Sequence, residues 1–195
     1  VMDAYLGAAT AAAREAGTIQ RDAAGDRPRV EYKSGDDVVT EVDTRIEATV
    51  TERLLEAFPD HAVLGEETGA RNDASHRWII DPIDGTTNFV HGIDHYCVSI
   101  ALEVEEAIEV GVVYHTPRDD LYAAVRGRGA TRNGDAVAVS RVDRADRAVV
   151  ATEFSPPDLD DPERLEALMS VNRAARRTRH LGSAASELAM VADGT

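Results

Sequence analysis

The stretch from Trp78 to Phe89 constrains this chain most. Trp78-Ile79-Ile80 is a short apolar run and reads as a buried strand. It ends at once in Asp81-Pro82-Ile83-Asp84, two carboxylates and a Pro within four residues. Gly85-Thr86-Thr87 then permits a tight turn, followed by the N-terminus of another element. A strand that stops in this way delivers carboxylates and backbone N–H groups to one edge of a sheet. Hard cations favour such oxygens and phosphate favours such amides. The expected chemistry is a magnesium-assisted phosphoryl site.

Asp-x-x-Asp-Gly alone is also an ordinary turn composition, so spacing has to discriminate. A calcium loop of the EF-hand kind needs oxygen ligands at positions 3 and 12. Counted from Asp81, those positions are Ile83 and Gly92, which excludes it. A phosphatase of the haloacid-dehalogenase kind needs a nucleophilic Asp two residues before Asp84, where this chain has Pro82. No Cys or Ser–His nucleophile arrangement is present, so hydrolysis is expected without a phosphoenzyme. His91 and His95 have i, i+4 spacing, but Gly92 and a strand-like context argue against a helical zinc pair.

The other elements can be placed around this edge. Residues 4–24 carry Tyr5, Leu6, Ala9, Ala12, Ala13, Ala16 and Ile19 at helical spacing, with Gly17 a tolerated cost. Val30–Lys33 reads as a short strand. Ile46, Val50, Leu54, Leu55 and Phe58 lie on one helical face closed by Pro59, and Thr40 with Asp43 suggests a capping box at its start. The alternative for Asp43 is that it faces the Asp81–Thr86 loop. His61–Leu64 is a short strand ending in Gly65-Glu66-Glu67. Two adjacent Glu on extended backbone point apart, so at most one is a direct ligand. Tyr96–Val104, Ile108–His115 and Leu121–Val125 form an antiparallel meander, continued by 127–134 and 136–140. Ala148–Thr152 and Thr178–Leu181 are strands, and 162–173 and 186–192 helices. Gly182-Ser183-Ala184-Ala185 lies at the start of the last, where ordinary helix capping competes with a phosphate- or hydroxyl-binding turn.

Charge excludes whole classes of partner. The 195 residues hold 36 acidic and 21 basic side chains, a net −15, and Lys33 is the one lysine. That balance repels nucleic acid and anionic membranes. It resembles the surfaces of proteins from salt-loving organisms. There is no apolar run of transmembrane length and no signal-peptide pattern in residues 1–20. A single cysteine, Cys97 in a strand-like run, suits a reducing cytoplasm.

Together, Val39-Thr40 with Asp43, Gly65-Glu66-Glu67, Asp81-Pro82-Ile83-Asp84-Gly85-Thr86-Thr87-Asn88-Phe89 and the Gly182–Ala185 turn resemble the inositol monophosphatase family. These are lithium-sensitive, magnesium-dependent phosphatases whose superfamily includes fructose-1,6-bisphosphatases. The resemblance implies a layered α+β, αβαβα sugar-phosphatase fold. Residues 1–143 would form a metal- and phosphate-binding α+β domain with a meander sheet between helices. Residues 144–195 would begin an α/β substrate domain. By the same resemblance, Glu66, Asp81 and the Ile83 carbonyl bind a first magnesium. Asp81 and Asp84 bind a second. Thr86, with Asp43 and near Glu66, activates the attacking water. Amides of Gly85 and Thr86 hold the phosphate, and Gly182, Ser183 and Ala184 form the substrate-side turn. Lys33 and Asp36 match a mobile loop approaching a third, weaker metal.

The implied reaction is hydrolysis of inositol monophosphate or a related sugar phosphate by a metal-activated water, with fructose-1,6-bisphosphatase activity as the near alternative. The implied partners are a small sugar or inositol phosphate and a second copy of the chain as a homodimer. The family's late Trp-Asp segment has no counterpart here, since the one tryptophan is Trp78. The second domain is therefore expected to be incomplete. An alternative of another class follows: a family member with a defective second metal site, acting as a regulatory or binding protein.

Overall fold

Burial alternates along His76–Asp84, with Trp78 and Ile80 buried and their neighbours partly exposed. This strand lies inside a sheet with helices packed on it. The computed structural model describes residues 1–24, 30–32, 38–154 and 160–195; Lys33 and Asp36 fall outside the described residues.

The chain opens with helix α1 (Met2–Ala23), the hairpin β1 (Val30–Tyr32) and β2 (Val38–Thr40), and helix α2 (Glu41–Ala57). There follow β3 (Ala62–Gly65), β4 (Gly69–Arg71), β5 (His76–Asp84), the short helix α3 (Thr86–His91), β6 (Cys97–Val104), β7 (Ala107–His115), β8 (Asp120–Val125), β9 (Ala130–Arg132) and β10 (Asp135–Val137). The main sheet has eight strands in the order β10-β9-β8-β7-β6-β5-β3-β4. Among the described residues its one parallel pair is β3 with β5. The meander β6–β10 forms as expected, because each connection is short and polar. Later come β11 (Val149–Ala151), α4 (Pro162–Ala174), β12 (Arg177–Arg179) and α5 (Ala184–Asp193), with β11 and β12 paired in parallel.

Helices α1 and α2 cover one face. Ala9, Ala12, Ala13 and Ala16 are fully buried and join one core with Ile46, Val50, Leu54, Trp78, Ile80, Ile100, Leu102 and Val112. An alanine stripe lets the α1 backbone approach the sheet closely. Gly17 belongs to that stripe: a Cβ there would lie 2.3 Å from the Tyr114 ring. It is therefore a point of close approach, where the sequence alone suggests a tolerated loss of helix propensity.

Helix α5 lies on the other face. Its Ala189 and Ala192 share a cavity with Ser99, Ala101, Gly111 and Val113. Its last residue, Asp193, accepts hydrogen bonds from Tyr122 (2.8 Å) and Arg132 (2.7 Å). The chain beyond residue 144 thus returns to the main sheet. By contrast, α4 buries no residue.

Strand β5 runs further than its apolar run suggests. Pairing with β6 continues to Asp84 opposite Cys97, with an irregularity between Asp81 and Asp84. Pro82 sits inside that irregularity and has no N–H to offer a ladder. Strict alternation would set residues three apart on opposite faces. The break lifts that restriction, and Asp81 feels the charge of Asp84.

Candidate metal and phosphate site

The site begins at the start of α2. Thr40 Oγ1 accepts from the amides of Val42 (3.1 Å) and Asp43 (3.4 Å), while Asp43 Oδ2 accepts from the Thr40 amide (2.8 Å) and hydroxyl (2.6 Å). This is a complete capping box. It fixes one oxygen of Asp43 and leaves Oδ1, which lies 3.3 Å from Thr86 Oγ1. Both readings of Asp43 therefore hold: the cap aims the carboxylate, and the aimed carboxylate meets Thr86. Burial is the largest influence on Asp43 and raises its pKa. Thr86 Oγ1 also lies 2.9 Å from the Ile83 carbonyl, so the hydroxyl is held between two acceptors.

Parallel pairing of β3 with β5 brings Gly65 beside Ile80, and the Glu66 amide donates to the Ile80 carbonyl at 3.2 Å. Glu66 thus emerges next to Asp81. Asp81 is the most perturbed acid there. Burial first, then the charges of Glu66 and Asp84 and a hydrogen bond with Glu66, push its pKa up to about 8. Its Oδ1 is buried and has no hydrogen-bond partner. An open cavity of about 410 Å³ lies beside the pair, lined by Leu64, Glu66, Ile79, Asp81, Ser99 and Ala101.

Asp84 is differently employed. It accepts from Ser183 Oγ (2.6 Å) and from the amides of Ala184 (3.2 Å) and Ala185 (2.8 Å). The cap of α5 is therefore supplied by a strand ninety-nine residues earlier, and Ser183 makes no cap bond of its own. A carboxylate at a helix N-terminus satisfies amides that would otherwise lack partners. Nearby, Gly85 has φ 95°, and a Cβ there would lie 2.9 Å from the Gly182 carbonyl. Asn88 Nδ2 reaches the carbonyls of His95 (2.8 Å) and Leu181 (2.7 Å), tying α3 to the same turn.

Glu66, Asp81, Ile83, Asp84, Gly85, Thr86, Asp43 and the Gly182–Ala184 turn thus form one contiguous edge. Lys33 and Asp36, expected on a mobile loop, lie outside the described residues. Among the described residues, no three His, Cys, Asp or Glu side chains converge as a ready-made metal cluster. The fit to a magnesium ion rests on a smaller set. A buried, partnerless carboxylate oxygen beside a second carboxyl is where a divalent cation relieves both desolvation and repulsion. Magnesium commonly takes one or two carboxylates and completes its shell with water and phosphate.

Neither Glu47 nor Gln20 is singled out by the sequence, yet both brace the site. Glu47, one helical turn beyond Asp43, is fully buried and accepts from the amides of Glu67 and Thr68. Gln20 of α1 donates to the Pro82 carbonyl (2.9 Å) from behind the site. His95 and His115 approach to 3.5 Å. Burial, followed by His95 and Arg118, pushes the His115 pKa down to about 4. The i, i+4 spacing of Asp43 and Glu47 was a usable signal; the others depend on contacts that no local pattern encodes.

A carboxylate edge on a mixed sheet flanked by helices sets the class of layered α/β fold, and comparison with known proteins gives the family. The profile of the inositol monophosphatase family matches residues 2–195. Inositol monophosphatase 2 of Solanum lycopersicum is 38% identical over 203 residues, covering 99% of this chain and 76% of that relative. Nus factor SuhB of Haemophilus influenzae is 39% identical over 197 residues, covering 98% and 73%. The crystal structure of extragenic suppressor protein suhB from Bartonella henselae superposes with a TM-score of 0.91 at 35% identity, covering 98% and 75%. The chain belongs to the inositol monophosphatase family. Among the described residues, no helix is long and apolar enough to cross a membrane.

Proposed function

We propose that this chain is a magnesium-dependent phosphomonoesterase acting on inositol monophosphate or a related sugar phosphate. The observation that carries the reading is Asp81: a half-buried carboxyl whose Oδ1 is buried and unpartnered, beside Glu66. Glu66, Asp81 and the Ile83 carbonyl would hold one ion, and Asp81 with Asp84 a second. When bound, magnesium supplies charge compensation for the transferring phosphoryl group and polarises the attacking water. Thr86, held between Asp43 and Ile83, orients that water. Amides of Gly85 and Thr86 face the phosphate, and the Gly182–Ala184 turn bounds the substrate side. Lys33 and Asp36 join the proposal through the family resemblance alone. Phosphoryl transfer depends mainly on positioning and electrostatics, which this arrangement supplies.

The test is phosphate release from inositol 1-phosphate and fructose 1,6-bisphosphate side by side, with and without magnesium, in high and low salt. We expect magnesium-dependent release, greater kcat/KM on the inositol ester, and a loss on the order of 10³-fold in Asp81→Asn. Equal rates for Asp81→Asn and the unaltered chain would overturn the assignment. A regulatory reading is favoured by one observation, the similarity to a relative called a Nus factor. The net charge of −15 opposes direct contact with RNA. Silence on both substrates would move the assignment to a protein-binding role.

A further inference from the structure

We propose that Glu47 is a positioning residue that sets the metal-binding geometry of Glu66. The inference rests on the phosphatase reading above and deepens it. Glu47 is 1% exposed, a carboxyl wholly withdrawn from water. Its Oε2 accepts from the Glu67 amide at 2.8 Å; its Oε1 accepts from the Thr68 amide at 3.0 Å and the Thr68 hydroxyl at 2.5 Å. On the other side of Glu66, a Cβ at Gly65 would lie 2.3 Å from the Glu47 carboxyl carbon. The backbone is therefore gripped immediately before Glu66 by close packing and immediately after it by hydrogen bonds. Glu66 itself is pinned to β5 through the Ile80 carbonyl.

The cost of this arrangement argues for a purpose. A carboxyl buried in a helix–sheet junction is expensive unless its acceptor sites are filled. Here three donors fill them, and all three belong to the turn that carries Glu66. The same helix face presents Asp43 one turn earlier, where it meets Thr86. Helix α2 thus acts as a rigid ruler, with Asp43 locating the water-orienting hydroxyl and Glu47 locating the metal-binding carboxyl. Gly65 follows from this: only the absence of a side chain lets the Glu47 carboxyl come so near.

Glu47→Gln tests the idea with almost no change in volume. A glutamine oxygen can still serve Thr68, but its NH₂ then meets the Glu67 N–H, donor against donor. Thr68→Val is a milder second variant, which removes one hydrogen bond and leaves Glu47 in place. Magnesium affinity is read without turnover, from the magnesium dependence of the thermal midpoint. Amide hydrogen exchange at Glu67 and Thr68 reports the turn directly.

For Glu47→Gln we expect faster exchange at Glu67 and magnesium binding weakened about 10- to 100-fold, as for other residues that orient metal ligands. At saturating magnesium the substrate KM should stay within about twofold, since uniform substrate binding is untouched. Thr68→Val should shift magnesium binding in the same direction by less. A merely structural role would lower the midpoint and leave the magnesium requirement unmoved, and that result overturns the proposal. A magnesium response in the unaltered chain with an identical one in Glu47→Gln overturns the positioning role alone. No magnesium response in the unaltered chain overturns the phosphatase reading and this proposal together.

Discussion

Asp81 joins two properties that usually exclude each other: it is largely withdrawn from water, and it stands among other acids. Its folded pKa of about 8 lies above the ordinary 3.8, so the fold holds this proton more tightly than the unfolded chain does. Without metal, the fold should therefore lose stability as pH rises from about 4 through about 8. Asp81→Asn removes the ionisation. We expect this variant, in chelator, to have a thermal midpoint a few degrees above the unaltered chain at pH 8 and a flatter pH profile. The same proton competes with a cation, so magnesium affinity should climb with pH over that interval. A midpoint for Asp81→Asn below the unaltered chain at pH 8 would contradict this account. His115 acts in the opposite sense, because its lowered pKa makes stability fall as pH drops from 6.5 towards 4.

Among the elements, α1 illustrates how propensity and packing diverge. Ala in place of an exposed helical Gly gains about 1 kcal/mol. At Gly17 the added methyl meets the Tyr114 ring at 2.3 Å and Thr116 Oγ1 at 3.0 Å. Overpacking costs about 1–3 kcal/mol, so Gly17→Ala should lower the urea midpoint despite its better propensity. Equal or greater stability would show that Tyr114 yields easily. The same divergence explains what the sequence made visible. The α1 stripe, the meander and the carboxylate edge were legible because each follows a local period or a local cluster. The length of β5 was not, since Pro82 and two acids look like a strand's end until β3 and β6 pair on either side. The cap of α5 by Asp84 was equally hidden: Ser183 stands at the usual capping position, yet a carboxylate from β5 occupies the role. Long-range partners override short-range grammar wherever the chain returns to itself.

For the whole molecule, charge is the dominant variable. Ion pairs such as Arg53–Glu15 (2.9 Å) and Arg128–Asp3 (2.8 Å) are exposed and individually worth little. They leave a net −15 whose self-repulsion opposes compaction. Raising potassium chloride from about 0.05 M to about 1 M shortens the Debye length from well over 10 Å to about 3 Å. We expect the thermal midpoint to rise over that range by several degrees, a response that a balanced surface would not give. A flat or falling midpoint would place the acidic excess far from any mutual strain.

Gln20 adds time to this picture. Its amide supports the Pro82 carbonyl, while its carbonyl accepts from Thr116, ninety-six residues further along the chain. Helix α1 packs on β6, β7 and β8, all made later than itself. During synthesis at about 5–20 residues per second, the helix waits roughly 5–20 s for the strands that will receive it. A helix made before those strands is thus among the last elements to find its seat. The carboxylate edge braced by that helix is finished only when strands made later close over an element made earlier.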